Sequence, residues 1–167
     1  TERTPVETDP IRMCELLVGL PEVRVLGVEQ PDDGSRLVVH VACPEDWQRD
    51  CGGCGTRGWV KQRSVTRLTD LPVFGRPVVL AWHKVRRTCP NDQCVQGSWT
   101  TSDERIAAVR AGVTHRAGRW LTEQVGRFRR AVSAVAGELG CDWHTVNDTV
   151  LAYGQLLVDD PDRSAGG

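Results

Sequence analysis

Two close cysteine pairs constrain this chain more than any other feature: Cys51-Gly52-Gly53-Cys54-Gly55 and Cys89-Pro90-Asn91-Asp92-Gln93-Cys94. Such pairs have the spacing of a tetrahedral thiolate zinc site, in which each supplies two ligands and the ion staples two turns distant in sequence. Thiolates two residues apart reach one ion only where the backbone turns sharply. Gly52, Gly53 and Gly55 allow the positive φ values that such turns use. The 34 residues between the pairs are enough for two or three strands of a zinc ribbon. Four thiolates close the coordination sphere, so the Zn2+ expected on Cys51, Cys54, Cys89 and Cys94 is structural, with no open position for a reacting water. Redox chemistry, a disulfide and four unrelated cysteines are the competing readings. A redox Cys-x-x-Cys sits where a strand turns into a helix and needs no second pair. A disulfide needs an oxidising compartment, which nothing in the sequence indicates.

Charge is distributed unevenly behind a net value of −1. Residues 1–50 carry eleven acids against five bases. Residues 57–87 reverse this, with eight bases (Arg57, Lys61, Arg63, Arg67, Arg76, Lys84, Arg86, Arg87) and one acid, Asp70. Residues 105–130 carry seven arginines and one acid, Glu123. Two basic blocks between acidic ends are a local footprint for a polyanion, although charge blocks also arise as plain solvated faces. No apolar run is long enough to span a bilayer and no signal peptide is present, which points to a reducing cytoplasm and no membrane partner. Cys14, Cys43 and Cys141 lie outside both pairs and read as small buried hydrophobes.

Taken in order, residues 9–19 predict a short helix with Asp9 as cap, Pro10 in the first turn and Gly19 at the end. Residues 23–29 and 36–42 are β-rich runs joined by Pro31-Asp32-Asp33-Gly34. His40, in the second run, reads as a strand residue rather than a further ligand. Residues 58–66 predict a strand with a basic face, 70–75 a connecting turn, and 76–87 the strongest strand. Arg86 and Arg87 end that strand beside the second cysteine pair, where they suit phosphate contact.

From Ser102 helical periodicity takes over. Thr114 caps a helix predicted over 115–130, with Ala117, Trp120, Leu121, Gln124, Val125 and Phe128 on one side. Arg116, Arg119, Glu123, Arg127 and Arg130 fall on the other, the arginines forming a cationic face. Residues 132–146 then read as helix, tight turn, helix, the helix-turn-helix arrangement. Ala136 is small where the second helix crosses, Gly140 takes the turn, and Asp142 caps a recognition helix running from Trp143 to about Leu157. Its first turns offer Trp143, His144, Thr145, Asn147 and Asp148 to a DNA groove, with Thr145 and Asn147 as base readers. A plain helical hairpin is the competing reading.

This order of parts resembles the N-terminal half of bacterial insertion-sequence transposases of the ISL-three type. The resemblance is carried by Cys51-Gly-Gly-Cys54-Gly55, Arg67-Leu68-Thr69-Asp70-Leu71-Pro72, Gly75-Arg76-Pro77-Val78, and Val85-Arg86-Arg87-Thr88-Cys89 with Cys94. Trp99-Thr100, the helix-turn-helix and Tyr153-Gly154 extend it over about residues 20–163. It implies that the ribbon and helix-turn-helix bind the terminal inverted repeats of an element. It also implies that an RNase H-like domain, with three acids holding two divalent metals, follows in the family. The strand bearing the first of those acids is expected after Asp159-Asp160-Pro161-Asp162-Arg163 and does not occur in this sequence, so the expectation is a truncated transposase part that is not an enzyme alone.

The expected architecture is α+β: residues 1–101 as a helix, hairpin and zinc ribbon, 102–160 as an all-α helix-turn-helix domain, and 161–167 as a disordered tail. The expected partners are double-stranded DNA at insertion-sequence ends and a second copy or a full-length transposase, on the bacterial nucleoid. A stand-alone regulator or repressor of transposition, and a metal-stapled protein-interaction module, are the alternatives. Salt-dependent binding to duplex DNA separates the first two readings from the third.

Overall fold

Local signals decide the first elements. In the computed structural model, which describes residues 5–158, the Asp9 side chain caps helix α1 (Pro10–Val18) by accepting from the Arg12 N–H. Gly19 ends the helix in the left-handed region at φ 62°. Strands β1 (Arg24–Glu29) and β2 (Leu37–Ala42) follow as neighbours in a sheet. The turn before β2 closes where the Gly34 N–H donates to the Pro31 carbonyl at 2.9 Å.

The next hairpin is longer than the sequence suggests. Strand β3 spans Trp59–Val73 and β4 spans Arg76–Thr88, so the turn expected over 70–75 shrinks to Phe74 and Gly75. Both have positive φ, 50° and 78°, the two-residue geometry whose twist matches antiparallel strands. Pro72 does not stop β3 because β3 ends the strand order β1-β2-β4-β3; on an end strand a missing N–H can face outward and break no ladder bond. Strand β5 (Ser98–Thr100) pairs antiparallel with the end of β4, Arg87 opposite Trp99.

The expectation of a β-rich ribbon domain followed by an all-α domain fails. Among the described residues a five-stranded sheet accompanies four helices, and the chain divides into two units. One takes residues up to 29 with 39–66 and 81–103; the other takes 30–38, 67–80 and 104 onward. Helices α2 (His115–Gly126), α3 (Val132–Leu139) and α4 (Trp143–Val158) therefore share their unit with the distal parts of β3 and β4. The physical reason is that these helices do not complete a core or their own hydrogen bonding alone. Leu71 of β3 packs against the cluster of Val113, Ala117, Leu121, Val135, Ala136, Leu139 and Val146. The Thr69 N–H donates to the Gly112 carbonyl at 2.9 Å, and the Thr114 N–H returns to the Thr69 carbonyl at 3.0 Å. Leu68 and Leu80, 2% and 1% exposed, bury the hairpin's own face. The tail expected over 161–167 lies outside the described residues.

Within this unit Thr114 caps α2 as expected, accepting from the Ala117 N–H. The helix stops at Gly126 rather than 130, and Phe128, expected to face inward, is 56% exposed. Beyond it Arg129 adopts a left-handed φ of 55°, which continues no helix. Gly118 is buried where α2 meets α4: a Cβ there would lie 2.6 Å from Cζ of Tyr153, whose hydroxyl meets His115 Nδ1 at 2.6 Å. Helix propensity alone makes Gly→Ala favourable by about 1 kcal/mol, whereas overpacking costs about 1–3 kcal/mol. Gly118→Ala is thus expected to lower the chemical denaturation midpoint, and a raised midpoint would show that Tyr153 swings aside freely.

Candidate metal centre and nucleic-acid surfaces

The cysteine pairs converge. Sγ of Cys51 lies 3.7 Å from that of Cys94, and Sγ of Cys54 lies 3.5 Å from that of Cys89. All four sulfurs fall within 4.8 Å of one another. Four sulfurs about 2.3 Å from one zinc at tetrahedral angles stand about 3.8 Å apart, whereas a disulfide brings two sulfurs to about 2.05 Å. No disulfide joins these four cysteines, and the group could hold a metal ion with all four ligands from the chain.

Two backbone turns build it. At the first, the Gly55 N–H donates to the Cys51 carbonyl and the Cys51 N–H to the Thr56 carbonyl, both at 2.8 Å. At the second, the Cys94 N–H donates to the Asn91 carbonyl at 3.1 Å, and the Cys89 N–H to the Gly97 carbonyl at 2.8 Å. Of the three glycines expected to need positive φ, only Gly55 has it, at 74°. Gly53 matters for a different reason: a Cβ would sit tightly, 3.2 Å from Cys94 Sγ and Gln96 Cβ. Without a metal the thiols titrate far apart. Cys54, held by the Thr56 hydroxyl and N–H and by Cys89, is lowered to about 6, while partial burial pushes Cys89 up to about 12. A bound cation favours the thiolate form of its ligands. His40 takes no part; its ring contacts His83 at 2.9 Å and Glu29 at 3.3 Å.

The two arginines at the strand end have different surroundings. Arg86 is exposed and donates to Ser98 Oγ at 3.2 Å, while Arg87 turns into a cavity of about 660 Å³ in the same unit as the cysteines. Arg24, Arg49, Arg57, Arg63 and Lys84 also line this cavity. None of the five was singled out from sequence. Arg57, Arg63 and Lys84 belong to the basic block noted there, but Arg24 and Arg49 sit in the acid-rich first fifty residues, where no local signal marks them.

The arginines expected on the helix face have diverse settings. Arg116 is paired with Asp70, which is 1% exposed and also accepts from the Thr114 hydroxyl at 2.7 Å. Arg130 pairs with Glu138 at 2.6 Å and Arg127 with Glu123 at 3.1 Å. Arg119 is exposed. Gly140 takes the left-handed turn at φ 68°, and Asp142 caps α4 by accepting from the Thr145 N–H at 2.8 Å. Val146 is fully buried, which turns the opposite side of the first α4 turns outward. Trp143 and His144 are exposed and stacked at 3.7 Å, Asn147 is half-buried, and Thr145 Oγ1 lies 3.3 Å from the capping Asp142 carboxylate.

Comparison with protein-family models, curated proteins and solved structures gives no match to this chain. Among the described residues no helix is long and apolar enough to cross a membrane.

Proposed function

We propose that this chain is the sequence-specific DNA-binding portion of an insertion-sequence transposase of the ISL-three type, recognising the terminal inverted repeats of its element. The observation that supports this most is the start of α4. A left-handed glycine turn and an Asp142 cap present exposed Trp143 and His144, with Asn147 one turn further along, while Val146 anchors the helix from beneath. A capped helix start projecting polar and aromatic side chains fits a DNA major groove, where Asn reads adenine in a bidentate fashion. On this reading the four thiolates hold a structural Zn2+ in a reducing bacterial cytoplasm, and the metal-bearing unit supports the recognition unit by contacts to phosphates.

Selection of bound duplexes from a random pool tests the reading. One enriched sequence is expected. Replacing Asn147 by Ala should then cost about 1–3 kcal/mol on that sequence and little on random duplex. A pool that shows salt-dependent retention but never enriches would remove the sequence-specific part of the proposal.

A further inference from the structure

Six cations share one cavity of about 660 Å³: Arg24, Arg49, Arg57, Arg63, Lys84 and Arg87, against a single carboxylate, Glu45. Like charges gathered this closely repel, and a bound anion relieves that repulsion. Glu45 relieves little of it, because its side chain is 93% exposed and reaches Arg24 only at 3.7 Å. The Nε atoms of Arg49 and Arg87 are buried and meet no acceptor, although buried donors are normally paired.

The fold also stations some of these cations. The Arg49 carbonyl accepts from the Gly58 N–H at 3.0 Å. Beside it, the Gln48 carbonyl accepts from Trp99 Nε1 at 2.8 Å, and the Gln48 side chain accepts from the Ser102 N–H at 2.9 Å. Arg87 is fixed in register opposite Trp99. Its Nη1 donates to the Gly58 carbonyl at 3.5 Å. A planar guanidinium fork held in place, as that of Arg87 is by Gly58, suits the paired oxygens of a phosphate, and less conformational freedom is lost when the anion arrives.

We propose that this cavity is a phosphate site that seats adjacent phosphates of a nucleic-acid backbone; the nucleic-acid part rests on the DNA-binding reading above. Backbone contacts carry no sequence information, so the site sets affinity and salt dependence while the start of α4 sets preference. Free phosphate chains present the same chemistry, and the test must separate the two sources.

The full chain with its metal is compared with Arg57→Glu/Arg63→Glu, both exposed residues of the cavity. Lys61→Glu/Arg67→Glu serves as a control of equal charge change on exposed β3 residues outside the cavity lining. Metal content and thermal unfolding confirm that each variant is folded. On random duplex at low salt the cavity pair should weaken binding by about tenfold or more and cut the log–log salt slope by about two, and the control pair should do markedly less. Equal losses in the two pairs would show a diffuse charge effect and overturn the site. Duplex binding by the cavity pair at wild-type strength would also overturn it while leaving the DNA reading intact. Inorganic tripolyphosphate is the second probe. If wild type binds it, the cavity pair abolishes that binding, and no duplex binds at all, the phosphate chemistry stands but the backbone assignment falls together with the DNA reading.

Discussion

On the proposed zinc reading, chelation is expected to unfold the cysteine-bearing parts, residues 39–66 and 81–103, of the unit that also takes residues up to 29. The sulfurs are already at the spacing of a tetrahedral site, and Cys51, at 3% exposed, is buried in the same unit as Val39, Val41, Ala81 and Trp82. That core is small for the chain it must order. Structural Zn2+ on four thiolates contributes about 10–16 kcal/mol of apparent free energy, comparable with or larger than the about 5–15 kcal/mol net stability of a whole domain. Removing the ion, or replacing Cys89 by Ser, should therefore abolish amide protection throughout β5 and the cysteine turns and shift the emission of Trp82 and Trp99 to the red. Elemental analysis should find one zinc per folded, reduced chain. Full protection in metal-free protein would show that the cluster is held by packing and carries no staple.

Asp70→Ala should be the most damaging single change in the helix-bearing unit. Its carboxylate is buried and gathers the Thr114 hydroxyl, the Arg116 guanidinium and the Leu71 N–H. Thr114 also caps α2, so one side chain ties the strand to the start of the helix. Asp70→Ala leaves the Thr114 hydroxyl and the Leu71 N–H without their acceptor and strands the Arg116 guanidinium, 30% exposed. A fully buried stranded charge costs about 3–5 kcal/mol, and the partial exposure of Arg116 places this loss at about 2–3 kcal/mol. Equilibrium denaturation should show a loss of that order for Asp70→Ala. Asp70→Ala/Arg116→Ala should cost less than the sum of the single changes, because the stranded charge is removed as well. A loss below about 1 kcal/mol for Asp70→Ala would mean that water takes the place of the carboxylate beside Arg116 and Thr114.

Much of this architecture is legible because its signals are local. Asp9, Gly19, Thr114, Gly140 and Asp142 each act within a turn of their own position, and each occupies the terminus its residue type favours. The cysteine set is legible for a different reason: thiolate spacing specifies its partner chemically, however far apart the pairs lie. What escaped depends on contacts between distant segments. Asp70-Leu71-Pro72 has the composition of a turn, and only the outer position of β3 lets it continue as strand. Arg116 falls on the cationic side of a helical wheel, yet a carboxylate 46 residues earlier in sequence claims it. Arg49 joins the basic cavity by a loop whose anchors, Trp99 and Ser102, lie beyond both cysteine pairs.

The outer position of β3 has a further consequence for how the chain behaves in a crowded solution. At Thr69 that edge is already taken by Gly112 and Thr114, but an end strand elsewhere can expose unpaired backbone groups, a template on which another chain can add a strand. Here that edge also displays Trp59, Val60 and Val65, 66%, 48% and 49% exposed, a combination prone to stacking into fibrils. Lys61, Arg63 and Arg67 interrupt the apolar run, and Pro72 removes a donor near its far end. A second copy approaching edge to edge meets the same charges and is repelled. The cations of this strand thus act as gatekeepers against self-association whether or not a polyanion is present, and replacing them with acids, rather than with neutral residues, preserves that protection.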